Sequence, residues 1–333
     1  MLTDQHVGLD PAEFGIEAYP AVRLGCPGKA DPHRHVQLVT DAMFTLLRPG
    51  PDLLVVQGDT SSALGAALAG FLAGVPVAHV EAGLRTHDPQ MPWPEEQYRT
   101  AIDAQADLLF APTETAAANL RAEAIQGEVH VTGNTGIDAL LAVVPRATES
   151  LAAPSLPRIL VTCHRRESWS EGLRSISAAL TQIAREGNAL IDVVLHPNPH
   201  VAATIRQSLD STRGISLVAP CSHSELVRRM CDAELVLSDS GGIQEEAPAL
   251  GAPLLILRDK TERPECIASG NARLVGTSTN QIIAEVRRLL ENPFDRLAMT
   301  RPSLPFGDGH AGPRIANIIG RWLERGAQGR HLA

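Results

Sequence analysis

Two stretches of this sequence decide the fold, and they resemble each other. Residues 53–81 read LLVVQGDTSSALGAALAGFLAGVPVAHVE, and residues 234–259 read ELVLSDSGGIQEEAPALGAPLLILRD. Each runs from an apolar strand through a small polar turn with an aspartate into a helix, and then to a second apolar strand. Gly74 and Gly251 are typical helix stops, because each is followed two residues later by a proline that cannot continue the helix. Two such units predict two Rossmann-like halves. The alternative is that the similarity reflects only the turn and helix-stop residues common to all βαβ units.

Most of the remaining chain repeats this alternation of strand and helix. Runs with the helical period fill most gaps, for example residues 171–186 and 279–291. The strand candidates carry little polar alternation, as expected of parallel strands buried on both faces. They are residues 53–57, 76–80, 107–111, 129–132, 158–163, 191–195, 215–219, 234–238 and 253–257. The stretch 144–157 is rich in Pro and Ala, which is typical of a linker. The sequence therefore predicts a doubly wound α/β protein with two domains.

Composition excludes several classes of protein. The formal net charge of −9 argues against a nucleic-acid-binding surface, which usually needs a basic face, although a local pocket can still bind an anion. The five cysteines include no pair with the two-residue spacing of a zinc or redox site, which indicates a reducing, cytoplasmic compartment. No apolar run reaches the ~18 residues of a membrane span, and residues 1–20 lack the features of an export signal. We expect no nucleic-acid or membrane partner.

The sequence SDSGG at residues 238–242 is the strongest local signal. It follows an apolar strand and precedes a helix. Gly241 and Gly242 let the backbone approach a ligand closely, and the N–H groups of a helix start favour an anion. The basic side chain of Arg263, in a later loop, is a candidate to assist. The alternative is structural, with a serine capping the helix and the glycines forming a tight turn. Dinucleotide-binding and Walker loops are excluded by the spacing.

Carboxylates form a second group of candidates. Asp59 follows the strand at 53–57, and Glu81 follows the strand at 76–80. Because the carboxyl ends of parallel strands share one edge of the sheet, both side chains are expected at a ligand-binding edge. Two carboxylates there can divide the roles of acid and base. Asp59 has an alternative role as the N-cap of the helix at 61–73, whereas no helix start explains Glu81.

Three further titratable residues are less specific. Glu95 and Glu96 follow a Trp-Pro pair, and acids in the first turn are ordinary features of a helix start. His164 follows the strand at 158–163, where it can act on a ligand or serve the structure. No group of His, Cys, Asp and Glu has the spacing of metal ligands, so we expect no metal.

Taken together, the motifs resemble the non-hydrolysing UDP-N-acetylglucosamine 2-epimerase family. They occur in the family's order along almost the whole chain, which makes the set specific although each motif alone is weak. The matching pieces are GDT at 58–60, HVEAGLRT at 79–86, PWPEE at 92–96, PTET at 112–115, TGNT at 132–135, HRRES at 164–168, SDSGGIQEE at 238–246, RD at 258–259, TERPE at 261–265 and GDG at 307–309.

The resemblance implies a GT-B-like architecture of two Rossmann-like domains with the substrate in the interdomain cleft. The expected parts are an amino-terminal domain at 1–145, a UDP-binding domain at 155–308 and a final helix within 309–333 that packs back on the first domain. It implies reversible conversion of UDP-N-acetylglucosamine to UDP-N-acetylmannosamine, for polysaccharide synthesis, by elimination and re-addition of UDP. A homodimer without a cofactor is expected.

The resemblance also assigns roles to individual residues. Helix-start N–H groups and an arginine would stabilise the leaving diphosphate, and carboxylates would stabilise the cationic sugar. The acid–base set is Asp59, Glu81 and Glu95, with His164 as a catalytic or phosphate-contacting residue. The UDP-binding set is Ser240, Gly241, Gly242, Glu246 and Arg263, with Glu246 placed on the ribose hydroxyls.

The chain departs from the family's pattern in three places. The first strand and its Gly-Thr-Arg-Pro-Glu loop have no match, so domain 1–145 is expected to lack its first strand. The natural start is then expected roughly 35 codons upstream, or the chain is a fragment. In either case the chain expressed from Met1 is expected to be poorly soluble or inactive, and a form extended upstream is expected to be active. The segment 221–226 lacks the family's Gln and aromatic residue near the uracil. Gln5, His6 and His196 resemble parts of a second, regulatory substrate site, and regulation stays open.

Two other classes of function remain. A retaining GT-B glycosyltransferase has the same fold but requires an acceptor, and the motifs at Glu81 and at 94–96 argue against it. A nucleotide-sugar-binding protein without catalysis is the third hypothesis. A hydrolysing relative, which releases free N-acetylmannosamine, is a variant of the first.

Overall fold

The computed structural model describes residues 22–29, 31–147, 156–163 and 171–331. They divide into two compact units. The amino-terminal unit comprises the described residues up to Asp138 together with those from Phe306 onwards, and the carboxyl-terminal unit runs from Ala139 to Pro305. The segment before Val22 lies outside the described residues, so the expectations about the start of the chain stay predictions.

The amino-terminal unit is built on a parallel sheet. Its described strands are β1 (Leu54–Gln57), β2 (Val77–Val80), β3 (Leu108–Ala111) and β4 (Glu128–Val131), paired in that order. The helices that accompany them are α1 (Pro32–Leu46), α2 (Ser61–Ala73), α3 (Glu95–Asp103) and α4 (Glu114–Ala122), and α5 (Thr135–Ala147) begins in this unit but has most of its residues in the other. Every residue of β2 and β3 is buried, which explains their continuous apolar runs.

Small residues determine how α1 and α2 meet. A Cβ on Gly65 of α2 would lie 2.7 Å from Cβ of Val39 and 2.8 Å from the carbonyl oxygen of Val36, both in α1. The alanine-rich composition of α2 therefore allows a close approach of the two helices. Helix α2 ends at Gly74, whose φ of +67° is the left-handed conformation predicted for this stop.

The carboxyl-terminal unit is built on a six-stranded sheet with the order β10-β9-β8-β5-β6-β7. Its strands are β5 (Arg158–Thr162), β6 (Leu190–Val194), β7 (Ile215–Val218), β8 (Leu235–Ser238), β9 (Leu254–Ile256) and β10 (Ala272–Leu274), and all its pairings are parallel. Its helices are α6 (Glu171–Glu186), α7 (Pro199–Leu209), α8 (His223–Asp232), α9 (Gly241–Leu250), α10 (Pro264–Ala268), α11 (Thr279–Glu291) and α12 (Pro293–Ala298). The strand order reverses between β5 and β8, which is where ligands bind in doubly wound sheets.

The last helix, α13 (Ala311–His331), belongs to the amino-terminal unit. Asp138 caps it, since its carboxylate accepts hydrogen bonds from the backbone N–H groups of Ala311 at 3.0 Å and Gly312 at 2.7 Å. Ile315 and Trp322 of α13 pack on the cluster formed by β2 and β3. No helix of the described residues is both long and apolar enough to span a membrane.

Candidate functional site

Asp59 lies two residues beyond the end of β1, and its carboxylate faces a buried arginine. Arg99 of α3 donates to Oδ2 of Asp59 from Nε at 3.0 Å, and its Nη2 contacts the same oxygen. The N-cap of α2 is Thr60, whose hydroxyl accepts from the backbone N–H of Ala63 at 3.2 Å. The alternative interpretation of Asp59 as the helix cap is therefore wrong, and its carboxylate does not serve to cap α2.

Glu81 lies directly after β2 in a conformation that side chains rarely adopt. Its φ is +72°, in the left-handed region, where a residue other than glycine is strained. The backbone N–H of Glu81 donates to the carbonyl oxygen of Phe110 at 3.1 Å, which holds this conformation. Oε1 accepts from Nδ2 of Asn134 at 3.3 Å, and a Cβ on Gly58 would lie 3.3 Å from Oε2. The ends of β1 and β2 thus bring Glu81 next to the residue that precedes Asp59.

The first turn of α3 separates the roles of its two glutamates. Glu96 is buried, and its Oε1 accepts from the backbone N–H groups of Thr86 at 2.8 Å and His87 at 2.9 Å. Its Oε2 pairs with Nη1 of Arg99 at 2.9 Å. Glu95 lies four residues before Arg99 and hence on the same helix face. Glu96 therefore fixes the structure, whereas the catalytic role of Glu95 stays a prediction.

Sequence reasoning missed two residues of this group. Arg99 is almost fully buried between the carboxylates of Asp59 and Glu96, so it sets the direction of the aspartate. Asn134 follows β4 and contacts Glu81. The signal that selected Asp59 and Glu81, a polar residue soon after a predicted strand, also fits Asn134, although β4 is only partly buried. The i,i+3 spacing of Glu96 and Arg99 was a weaker signal.

In the carboxyl-terminal unit, the SDSGG sequence lies where the strand order reverses. The hydroxyls of Ser238 in β8 and Thr162 in β5 are 2.7 Å apart, and Oγ of Ser238 also accepts from the backbone N–H of Ser240 at 3.0 Å. Ser240 occupies the N-cap position of α9, but its side chain makes no capping hydrogen bond. The structural alternative of a capping hydroxyl at Ser240 therefore does not hold. Gly241 and Gly242 form the first turn of α9, whose N–H groups suit an anion.

Arg263 lies against the start of α9. A Cβ on Gly241 would lie 2.9 Å from Nη1 of Arg263, so a larger residue there would displace the guanidinium. Nε of Arg263 donates to Oε1 of Glu245 at 2.6 Å, and Nη1 contacts Oε1 of Glu262. The two carboxylates fix the guanidinium beside the helix start. They also offset part of its positive charge, so an anion there must draw on the N–H groups of α9 as well.

Glu246 of α9 is hydrogen-bonded to a histidine at the start of the preceding helix, α8. Nε2 of His223 lies 2.9 Å from Oε1 of Glu246, and both side chains are partly exposed. His223 belongs to the segment 221–226, which the sequence resemblance predicts to lie near the uracil. The carboxylate expected on the ribose and the segment expected near the base are therefore neighbours.

Two buried cysteines lie close to these residues. Burial raises the pKa of the Cys266 thiol to about 12, helped by Glu265 and Glu262 and opposed by Arg263. Burial, with a contribution from Asp239, raises the pKa of Cys163 well above its ordinary value. Both residues are thiols at neutral pH, which is the unreactive form.

Other predicted residues lie elsewhere. His164, Gln5 and His6 are outside the described residues. His196 accepts at Nδ1 from the backbone N–H of Asn198 at 2.9 Å and so stabilises a turn. Among the side chains that the structure describes, no group of three His, Cys, Asp or Glu could hold a metal ion.

Two Rossmann-like units define a GT-B-like α/β protein: one has carboxylates near the strand ends of its parallel sheet, and the other has a glycine-rich helix start at the topological switch of its own sheet. The family profile described as UDP-N-acetylglucosamine 2-epimerase matches residues 3–320. The chain belongs to the UDP-N-acetylglucosamine 2-epimerase family.

Individual relatives agree with this assignment. The chain is 44% identical to the probable UDP-N-acetylglucosamine 2-epimerase of Ralstonia nicotianae, over 85% of this chain and 79% of that protein. It is also 44% identical to the Escherichia coli K12 UDP-N-acetylglucosamine 2-epimerase, over 81% of this chain and 75% of that protein. The crystal structure of the Neisseria meningitidis enzyme bound to UDP-GlcNAc superimposes with a TM-score of 0.88 at 35% identity, covering 93% of this chain and 87% of that one.

Proposed function

We propose that this chain interconverts UDP-N-acetylglucosamine and UDP-N-acetylmannosamine by eliminating UDP and adding it back. The observation that carries the proposal is the position of the Glu81 carboxylate, which lies where a side chain on Gly58 would begin and hence beside the residue that precedes Asp59, while α3 is tied to Asp59 through Arg99. These acidic residues belong to the amino-terminal unit, and the carboxyl-terminal unit has a helix start whose N–H groups suit a diphosphate. We assign the acid–base chemistry to residues 1–145 and UDP binding to residues 155–308.

The chemistry explains why acids and an anion site are both needed. The proton on C2 has no carbonyl group beside it, so a base alone cannot remove it. The C1–O bond breaks first, leaving its electron pair on UDP and positive charge on the sugar. A carboxylate then takes the C2 proton, and the C–H electron pair forms the C1=C2 bond of a glycal. Re-addition delivers a proton to the opposite face of C2 and reforms the C1–O bond.

The residues divide this work between them. Glu81, Asp59 and Glu95 stabilise the cationic sugar and exchange the proton. The N–H groups at Gly241 and Gly242, the Ser240 hydroxyl and Arg263 stabilise the departing diphosphate. Glu246, held by His223, is proposed to bind the ribose. His164 keeps its proposed role on the phosphate or the reacting sugar.

Turnover in heavy water tests the proposal. Purified protein is incubated with UDP-N-acetylglucosamine and no acceptor, and the products are examined by NMR and mass spectrometry. We expect UDP-N-acetylmannosamine that carries deuterium at C2. Product that retains the original C2 hydrogen would exclude proton exchange. Turnover only with an added acceptor would indicate a glycosyltransferase, and free N-acetylmannosamine would indicate a hydrolysing enzyme.

Compartment and assembly follow from the same proposal. We propose a cytoplasmic homodimer. The five cysteines are all unpaired, as is usual in a reducing compartment. Light scattering on the purified protein measures the oligomeric state directly, and a monomer at micromolar concentration would contradict the dimer.

A further inference from the structure

His79 is a fully buried histidine with an oxygen atom at each of its nitrogens. It lies in β2, where its neighbours are apolar. Nδ1 is 2.6 Å from Oδ1 of Asp103, at the end of α3, and Nε2 is 2.9 Å from the carbonyl oxygen of Gly58. A neutral imidazole has one N–H and one bare nitrogen, so it could donate to only one of these oxygens. The geometry requires a proton on both nitrogens.

Asp103 is built to remain a carboxylate beside this histidine. Its Oδ2 accepts from the backbone N–H of Gly83 at 3.1 Å and pairs with Nη1 of Arg85 at 2.7 Å. Arg85 in turn makes two hydrogen bonds of 2.7 Å to Glu123. His79, Asp103, Arg85 and Glu123 thus form a chain of charges that alternate in sign, which is the arrangement that buried charges require.

The charges around His79 all favour its protonated form. Burial alone would lower its pKa, but the pairing with Asp103, the hydrogen bonds to Asp103 and Gly58, and the charge of Glu81 outweigh burial and raise it. The groups that face the imidazole are Asp103 from α3, the Gly58 carbonyl after β1 and Glu81 after β2. Burial alone would likewise raise the pKa of Asp103, but His79 and Arg85 lower it.

This ion pair holds both loops that carry the proposed acid–base residues. His79 fixes the carbonyl of Gly58, which is the peptide that leads into Asp59. Asp103 fixes the N–H of Gly83, two residues after Glu81. We propose that His79, as an imidazolium paired with Asp103, is a positioning residue that sets the carboxylates of Asp59 and Glu81 for C2 proton exchange. The inference rests on the proposed epimerase function.

Two substitutions separate the contacts of His79. In His79→Gln the side-chain amide reaches the position of Nε2 and can still donate to Gly58, but it carries no charge. In His79→Asn the amide reaches the position of Nδ1 and can donate to Asp103, but not to Gly58. We expect kcat to fall about 10-fold for His79→Gln and about 100-fold for His79→Asn, since a small misplacement of a catalytic group has effects of that order. KM and the Kd for UDP should change less than about threefold, because UDP binding is assigned to the other unit.

His130→Gln is the matched control. His130 lies in β4, which β3 separates from β2, and it stacks on Phe110; none of the contacts described for it reaches Asp59, Glu81 or Glu95. Its kcat should equal that of the wild type. Thermal unfolding of all variants shows whether they are folded. A folded His79→Asn variant with wild-type kcat would overturn the inference.

The pH profile and NMR of the wild-type protein do not depend on the folding of a variant. We expect ¹⁵N spectra of labelled histidine to show both nitrogens of His79 protonated above pH ~6.5, where an unperturbed histidine loses its proton. The wild-type kcat should fall on the alkaline side when His79 deprotonates, and this limb should be missing in His79→Gln. A neutral His79 at pH 6 would contradict the inference alone. A wild-type protein that does not turn over UDP-N-acetylglucosamine would contradict the proposed function, and this inference with it.

Discussion

Gly58→Ala tests how the ends of β1 and β2 place the two carboxylates. Gly58 has a φ of +70°, and the added Cβ would lie 3.3 Å from Oε2 of Glu81. The left-handed conformation of an alanine costs roughly 1–2 kcal/mol. A contact of this length is tighter than almost all real Cβ contacts, so the Glu81 carboxylate has to move by a few tenths of an ångström. We expect kcat to fall about 10- to 100-fold, because catalysis depends steeply on the position of the acid–base group.

Gly74→Ala provides the matched control for backbone strain. Gly74 has almost the same φ, +67°, but a Cβ there would meet nothing within 4 Å. Both variants should lose roughly 1–2 kcal/mol of unfolding free energy, seen as a lower Tm at roughly 2–4 °C per kcal/mol. Only Gly58→Ala should lose activity in the assay with UDP-N-acetylglucosamine. Equal kcat values for the two variants would refute the reasoning that Gly58 is kept small for Glu81.

Three further predictions concern single side chains. Glu81→Gln removes a base without changing the size of the side chain, so kcat should fall about 10²- to 10⁴-fold, while calorimetry should show little change in UDP affinity. Near-wild-type turnover would mean that Glu81 has a structural role. Glu95→Gln should lower kcat with little effect on Tm. Glu96→Gln should lower Tm, because Glu96 binds two backbone N–H groups and Arg99. The opposite pattern would exchange the roles of the two glutamates. Arg263→Ala should weaken UDP binding by about 1.5–3 kcal/mol, the contribution of one charge-assisted hydrogen bond, and an unchanged Kd would remove Arg263 from the UDP site.

Much of the fold was predictable because its central strands are buried on both faces. Such strands read as continuous apolar runs, and the predicted runs at 76–80, 107–111 and 234–238 correspond to β2, β3 and β8. Strand β10 was not predicted, since it has only three residues and includes an arginine. The order of the strands depends on pairing between segments that are far apart in the sequence, and local patterns do not predict it.

The candidate site was predictable only where strand ends carried polar residues. Asp59 and Glu81 stand out because each follows an apolar run, and their roles stay predictions. Arg99 is forty positions from Asp59 along the chain, so no spacing rule joins them. His79 appears as one polar residue inside an apolar strand, and its partner Asp103 lies in a helix that the sequence does not connect with it. Pairing of distant charges is a property of the packed structure.

The position of α13 affects the order in which this protein can fold. The amino-terminal unit is interrupted in sequence, because Ala139–Pro305 forms the other unit before the chain returns at Phe306. On the ribosome, the inserted unit is complete while the first sheet still lacks Ile315 and Trp322 from α13. The sheet that carries the carboxylates therefore has to remain partly uncovered until α13 is synthesised. Its contacts with α13 join residues that are far apart in the sequence. Such contacts slow folding, so the carboxyl-terminal unit should become resistant to proteolysis first during synthesis.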